Sequence, residues 1–333
     1  MILATADIGT RDGQLLIVSS DRQRAVDASA IAVTLQDALE RWEAVETKLR
    51  AQATQLDAGQ VSAARPIATW SLLAPLPRAW QWLDGSAFSV HGDLMAKAFQ
   101  QPPIDTRLPL MYQGLSHTFF APTQDVPFLR EEDGIDFEGE FGVLTSSVPM
   151  GTSASESQHH IRLLVQINDW SLRRLAPAEM KTGFGWIQAK PACSMAPFAV
   201  TPDELGDLWS NARVQATLEV WRNGEAFGAV PATEMGWGFD ELVAHAAATR
   251  DLCAGTIIGS GTVSHSGYRE HGSCCIAERR AIEMIDNQGT ASTSYLRFGE
   301  RVRMVVQGVN TGAPLFGEID QAVVRREPKA VAA

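Results

Sequence analysis

From Trp80 onward the apolar residues come in short runs cut apart by Gly, Pro and Asp, and this punctuation constrains the fold more than any other feature of the chain. The clearest runs are residues 141–144, 161–167, 214–221, 256–258, 281–285 and 302–306, each short and rich in Ile, Val or aromatic residues. Runs of that kind predict strands, and their spacing predicts a mainly β domain built as a twisted barrel or a sandwich-like roll. Asn223-Gly224, just beyond the run ending at Trp221, predicts a tight hairpin, because both residues adopt positive φ at little cost. Residues 238–250, with Phe239, Leu242 and Val243 among alanines, predict a helix instead.

The first 65 residues have a different texture. Residues 13–18 read as a short strand entered from a turn. Leu35, Leu39, Trp42, Val45 and Leu49 advance by three and four positions, as the buried face of an amphipathic helix does. Pro66 and the stiff stretch 73–77 mark a linker. The expected organisation is a small α+β lobe over residues 1–65, a linker over 66–79, a catalytic-sized domain over 80–325 and a fraying tail over 326–333.

Composition excludes several classes of function. Of 333 residues, 45% are hydrophobic and 20% charged, the balance of an ordinary globular chain. Acidic residues number 39 against 28 basic ones, a formal charge of −11, the wrong sign for a nucleic-acid binder. No stretch has the 18 or so apolar residues of a membrane helix, and the start lacks the basic and apolar regions of a signal peptide. The chain therefore reads as soluble and cytoplasmic. Cys193, Cys253, Cys274 and Cys275 follow neither a disulfide nor a metal-binding spacing, and read as small buried or half-buried side chains.

The most informative local stretch is Asp136-Phe137-Glu138-Gly139-Glu140. In a strand, Glu138 and Glu140 would share a face, roughly 6 to 7 Å apart, with Asp136 on that face too. Like charges so placed repel, and a divalent cation reconciles them; all-oxygen ligands favour Mg²⁺, Ca²⁺ or Mn²⁺ over zinc. The plain alternative is a solvated acidic face. The apolar run 163–167 delivers Asn168-Asp169 followed by Trp170, Ser171, Arg173 and Arg174. A carboxylate at the end of a buried strand needs a cap, an arginine or a metal as partner. Lys190, one of only five lysines, follows a stretch rich in glycine and aromatic residues. It is either a surface side chain or the cation that steadies an anionic substrate.

Taken in order, the Asp136–Glu140 stretch, the segment from Asn168 to Arg173, Lys190 and Gly259-Ser260-Gly261-Thr262-Val263-Ser264 resemble the fumarylacetoacetate hydrolase family, over roughly residues 77–323. The fold class this resemblance implies is mainly β with some α, a mixed β-roll catalytic domain beside the small N-terminal α+β lobe. It implies Mg²⁺ or Ca²⁺, with Mn²⁺ as a third choice, held by Glu138, Glu140 and Asp169. Asp84, followed seven residues later by His91, resembles the family segment that carries a further metal ligand and the catalytic histidine. The glutamate that orients that histidine lies beyond the Ser-Gly-Thr element; Glu278 is the choice here and Glu270 its rival. His265 and His271 are competing bases, read as loop residues. Where the family's hydrolases carry Arg-Asp and a glutamine three residues beyond the arginine, this chain has Arg173-Arg174 and Ala176, which puts the substrate in question rather than the metal.

The implied reaction is hydrolysis of a carbon-carbon bond in a fumarylacetoacetate-like or acylpyruvate-like dioxo acid. His91, set by Glu278, takes a proton from water, while Lys190 and Arg173 steady the enolate that leaves. A homodimer acting on a small dioxo or 2-oxo acid, with no nucleic-acid or membrane partner, completes the expectation. Two rivals stand beside it: a decarboxylase, hydratase or isomerase of 2-oxo acids on the same fold, and a non-enzymatic cation- or small-acid-binding scaffold.

Overall fold

The computed structural model describes residues 1–100, 102, 107–308 and 313–327. The chain begins with strands β1 (Ile2–Ala6), β2 (Gln14–Val18) and β3 (Arg24–Asp27), then helices α1 (Leu35–Glu40) and α2 (Trp42–Asp57), and the two-residue strand β4 (Arg65–Pro66). The helix predicted around Leu35–Leu49 is thus two helices, broken at Arg41, whose φ of −119° is not helical. Next come β5 (Trp82–Gly85), α3 (Ser89–Ala98), β6 (Met111–Gln113), β7 (Val126–Phe128), β8 (Ile135–Asp136) and β9 (Gly139–Thr145). The middle of the chain forms α4 (Ala154–Ser157), β10 (Ile161–Asn168), β11 (Ser171–Leu172), α5 (Ala176–Met180), β12 (Ser194–Met195) and β13 (Ala199–Val200). The last part forms β14 (Trp209–Ser210), β15 (Arg213–Val214), β16 (Thr217–Arg222), β17 (Glu225–Pro231), α6 (Phe239–Ala246), β18 (Ile257–Gly259), α7 (Tyr268–His271), α8 (Ile276–Asp286), β19 (Arg301–Gln307) and β20 (Pro314–Arg325). Residues 328–333 of the expected tail lie outside the described residues.

Two sheets and one helical layer organise these elements. The larger sheet runs β4-β3-β2-β1-β13-β10-β9-β18-β5-β6, with β12 also on β10; the smaller runs β17-β16-β19-β20-β7. Both faces of the larger sheet are buried, and strand alternation sorts its residues between two cores. Ala4, Leu16, Leu83, Phe141, Val143, Leu164 and Ile258 pack toward the smaller sheet, meeting Leu218, Val220, Met304 and Phe316. Leu3, Leu15, Trp82, Leu144, Leu163, Val165, Ile167 and Ile257 pack the other way, onto Leu35, Leu39, Trp42, Val45 and Leu49 of α1 and α2. The apolar face legible in the first 65 residues is therefore the cover of the central sheet.

Most of the expected strands form, and the hairpin joining β16 to β17 turns at Asn223 and Gly224 with φ of 52° and 81°. One prediction fails. Residues 281–285 are not a strand; they lie in α8, where Ile276 is buried in the first core and Ala281 and Ile282 are buried against Leu94 of α3. Short apolar runs carry too little periodicity to separate a strand from a helix, and here the charged residues Glu278, Arg279, Arg280 and Glu283 fill the remaining helical positions.

Because β1 pairs with β13 and the second core mixes residues of the first 76 positions with residues between Trp82 and Ile257, residues 1–79 contribute sheet and core rather than an appendage. Burying each Val, Leu or Ile is worth roughly 1.5 to 3 kcal/mol, and several are uncovered if this segment is lost, which rivals a whole domain's stability of about 5 to 15 kcal/mol. A protein starting at residue 80 is expected to be insoluble or to lack a cooperative melting transition by circular dichroism. A soluble, cooperatively melting fragment would contradict this packing.

Candidate active site

The strand parity that sends Trp82, Leu144 and Ile167 into the helix-covered core also directs Asp84, Glu140 and Asp169 to that face, at one end of the sheet. Glu140 on β9 is paired with Ile167 on β10, two residues before Asp169. Asp84 lies on β5, separated from β9 by β18, where Gly259 faces both Asp84 and Gly142. A Cβ on Gly259 would stand 2.3 Å from Asp84 Oδ1, so glycine is what lets this carboxylate lie across the sheet. The neighbouring Gly261, at φ +74°, donates its N–H to Asp84 Oδ1 at 3.1 Å, and Thr262 Oγ1 donates to Glu138 Oε2 at 2.5 Å. The Gly259–Thr262 motif thus shapes and holds two of the acids.

The side chains of Asp84, Glu140 and Asp169 are buried, and an oxygen from each lies within 4.8 Å of the others. Neither oxygen of Glu140 has a hydrogen-bond partner. Burial, then the charges of Asp84 and Asp169, push the Glu140 pKa well above the usual carboxylate range; burial and Asp169 do the same to Asp84. Three converging acids, one of them with both oxygens orphaned, fit a hard divalent cation bound through oxygen.

Glu138 stands beside this cluster in a different setting. Its Oε1 accepts hydrogen bonds from Lys190 Nζ at 2.9 Å and Ser171 Oγ at 2.6 Å and forms an ion pair with Arg173 Nη2 at 2.6 Å. Burial opposes its charge, but Arg173 and Lys190 outweigh burial and hold the pKa below the normal range. Lys190 is itself buried and also meets Asp169 Oδ2 at 2.5 Å; these two acids overcome burial and keep it cationic. The surface reading of Lys190 is therefore excluded. Asp136 does not join the acids either: the strand is interrupted at Phe137 between β8 and β9, and the Asp136 carboxylate turns to Arg173 Nε at 2.8 Å and to the start of α8.

His91, on α3, and Glu278, on α8, meet at 2.9 Å through Nδ1 and Oε2. Glu278 is fully buried and His91 19% exposed. Glu270 is exposed on α7, whereas His265 and His271 pack edge to face and His265 Nε2 lies 3.4 Å from Glu234. Arg174 is exposed, its guanidinium on the Glu132 carbonyl, and Ala176 begins α5.

Contacts of Tyr112, Cys193 and Cys275 here were not foreseen. Tyr112, opposite Asp84 in the sheet, donates its hydroxyl to Asp169 Oδ2 at 2.6 Å, and its ring lies 4.8 Å from that of Trp186. Cys193 donates its thiol to Asp169 Oδ1 at 3.0 Å, while Cys275 Sγ accepts the Glu278 N–H. Both cysteines are buried, as is Cys274, whereas Cys253 is exposed, contrary to the sequence reading. Nothing in the spacing around Tyr112 or Cys193 marks them; each gains its role from strand pairing with, or packing on, residues far off in the chain. No helix among the described residues is long and apolar enough to cross a membrane.

A profile described as fumarylacetoacetate (FAA) hydrolase C-terminal matches residues 81–324, and one described as fumarylacetoacetase N-terminal domain 2 matches residues 1–78. No curated protein matches the chain. Among solved structures, the chain is similar to maleylpyruvate hydrolase from Sphingobium sp. SYK-6, at TM-score 0.67 and 16% identity, covering 98% of this chain and 100% of that one. A structure of that hydrolase with manganese(II) and pyruvate gives TM-score 0.65 with the same identity and coverage. A 2-hydroxyhepta-2,4-diene-1,7-dioate isomerase from Mycobacterium marinum gives TM-score 0.58 at 16% identity, again over 98% and 100%. At these identities the likeness speaks for the fold.

The buried acids carry their own test. Folded-state pKa values raised above the unfolded ones mean that metal-free protein gains stability as pH falls through the raised values and loses it as pH rises. A bound cation removes that penalty, and a hundredfold excess over Kd adds about 2.7 kcal/mol. Adding Mn²⁺ or Mg²⁺ is expected to raise Tm by several degrees near neutral pH and by less at about pH 5, and Glu140→Gln is expected to abolish the rise. Equal shifts at both pH values, or in the variant, would speak against this site.

Proposed function

The chain belongs to the fumarylacetoacetate hydrolase family, and from that premise we propose that it is a metal-dependent hydrolase cleaving a carbon-carbon bond in an acylpyruvate-like or fumarylacetoacetate-like dioxo acid. The observation that carries the reading is the His91–Glu278 contact of 2.9 Å near the buried acids. A carboxylate on Nδ1 fixes the tautomer that leaves Nε2 free to accept a proton, which a water-activating base requires. His91 is also close enough to Glu138 to help lower the pKa of that carboxylate, after Arg173 and Lys190.

Asp84, Glu140 and Asp169 would hold the cation, with Glu138 joined to them through Lys190 as a fourth carboxylate. When bound, Mg²⁺, Ca²⁺ or Mn²⁺ supplies Lewis-acid stabilisation of charge on adjacent substrate oxygens. His91 takes the proton of a water that adds to the carbonyl, and Glu278 stabilises the imidazolium that results. The carbon-carbon bond then breaks, its electron pair passing to the departing fragment as an enolate. Lys190 and Arg173, both kept charged by neighbouring acids, face that negative charge until it is protonated. The manganese and pyruvate bound by the Sphingobium hydrolase support a 2-oxo acid as the chelating part. A homodimer, as the family resemblance implies, and a cytoplasmic location, as read from the sequence, are part of the same proposal.

A second reading is an isomerase or decarboxylase of 2-oxo acids. It draws support from Ala176, which leaves no amide three residues beyond Arg173 to meet a hydrolase substrate. Products decide between them: hydrolysis of an acylpyruvate gives two acids, decarboxylation gives carbon dioxide, and isomerisation gives neither. We expect two acids from the purified protein, His91→Ala to lower kcat by roughly 10² to 10⁴, and metal affinity to be unchanged by that substitution. Retention of full turnover by His91→Ala would remove the hydrolase assignment.

A further inference from the structure

We infer that Asp136 is a positioning residue that locks the His91–Glu278 pair to the cationic side of the site; this rests on the function proposed above. Its carboxylate is fully buried, and both oxygens are occupied. Oδ1 accepts the Ile276 N–H at 2.7 Å, and Oδ2 accepts the Ala277 N–H at 2.9 Å and Arg173 Nε at 2.8 Å. Those two amides open α8, the helix whose first turn carries Glu278. The first N–H groups of a helix have no partner inside it, and a carboxylate placed there both satisfies them and meets the positive end of the helix dipole.

On its other side Asp136 orients Arg173, whose Nη2 reaches Glu138 Oε1, the same oxygen that holds Lys190. One side chain therefore spans from the helix that sets the base to the paired cations that face the enolate. The same end of α8 is also held by Ile276, buried in the first core, and by the bridge between Glu138 and Cys275. Cys275 Sγ accepts the Glu278 N–H at 3.3 Å, and sulfur is a weak acceptor. Beyond it, α3 and α8 share only a small cluster around Leu94, Ala281 and Ile282, separate from the two main cores. What Asp136 adds to this packing is a single carboxylate bonded both to the first amides of α8 and to Arg173.

A buried acid that merely stabilised the fold would lower Tm without singling out Glu278, so the test is one of coupling. The full-length, metal-loaded protein is compared as wild type, Asp136→Asn, Glu278→Gln and the double variant, with kcat and KM for an acylpyruvate and Mn²⁺ affinity by calorimetry. Asn keeps the shape but sets an NH₂ group against a donor. Asp136→Asn is expected to lower kcat by about 10- to 100-fold, with KM and Mn²⁺ affinity within about threefold, and the double variant to be no slower than Glu278→Gln by more than about threefold. Losses that multiply, an unchanged kcat, or a loss carried by Mn²⁺ affinity would overturn the inference. If Glu278→Gln itself turns over at the wild-type rate, the proposed reaction fails and not the role of Asp136 alone. Should Asp136→Asn not fold, Asp136→Glu, which keeps the charge near Arg173 but displaces it from the amides, enters the same cycle. If neither folds, Asp136 serves the fold and the inference falls.

Discussion

Four buried carboxylates crowd one end of the central sheet, answered by buried Lys190 and half-buried Arg173. Taking an ion out of water costs several kcal/mol even after relaxation, and an unpaired buried acid is sustained only by a proton or a cation. Lys190 and Arg173 divide unevenly among the acids. They secure Glu138, which keeps its charge, while Glu140 has no donor at all and is pushed toward the neutral form. The unevenness makes a site for an added cation out of what would otherwise be a closed ion-pair network.

The fold makes this concentration of charge possible through the sheet. Strands β5, β9 and β10 present Asp84, Glu140 and Asp169 on one face because their apolar neighbours have already fixed the parity in two cores. A register slip of one residue on any of them would bury a charge in the opposite core, so the hydrophobic pattern protects the site as well as the fold. Glycine at 259 then removes the side chain that would obstruct Asp84, and Gly261, where a Cβ would meet the Gly85 carbonyl, brings its N–H to that carboxylate. By contrast, the base and its partner sit on α3 and α8, two helices that meet through a smaller cluster around Leu94, Ala281 and Ile282. The cation site belongs to the rigid part of the molecule, whereas the pair that would activate water depends on a few specific hydrogen bonds.

Much of this was legible in the sequence, for identifiable reasons. Strands β9, β10, β16, β18 and β19 were readable because each is a compact Ile- or Val-rich run bounded by turn residues, and the α1–α2 face because its spacing is helical. Helix α8 was misread because residues 281–285 form the same kind of short apolar run. The motif order brought Glu140, Asp169 and Asp84 into view, yet parity alone also implied that Asp136 shares their face. The interruption of the strand at Phe137 turns Asp136 away, and no local pattern encodes that interruption. Tyr112 and Cys193 meet Asp169 across 57 and 24 residues of chain, and contacts of that kind are created by topology.

The central claim is that a single divalent cation sits among Asp84, Glu140 and Asp169. Anomalous diffraction from crystals of the protein soaked in Mn²⁺ tests it most directly. The account requires one strong manganese peak per chain within coordination distance of all three carboxylates. Density in which Glu140 remains without a metal, or a peak bound elsewhere, would contradict it.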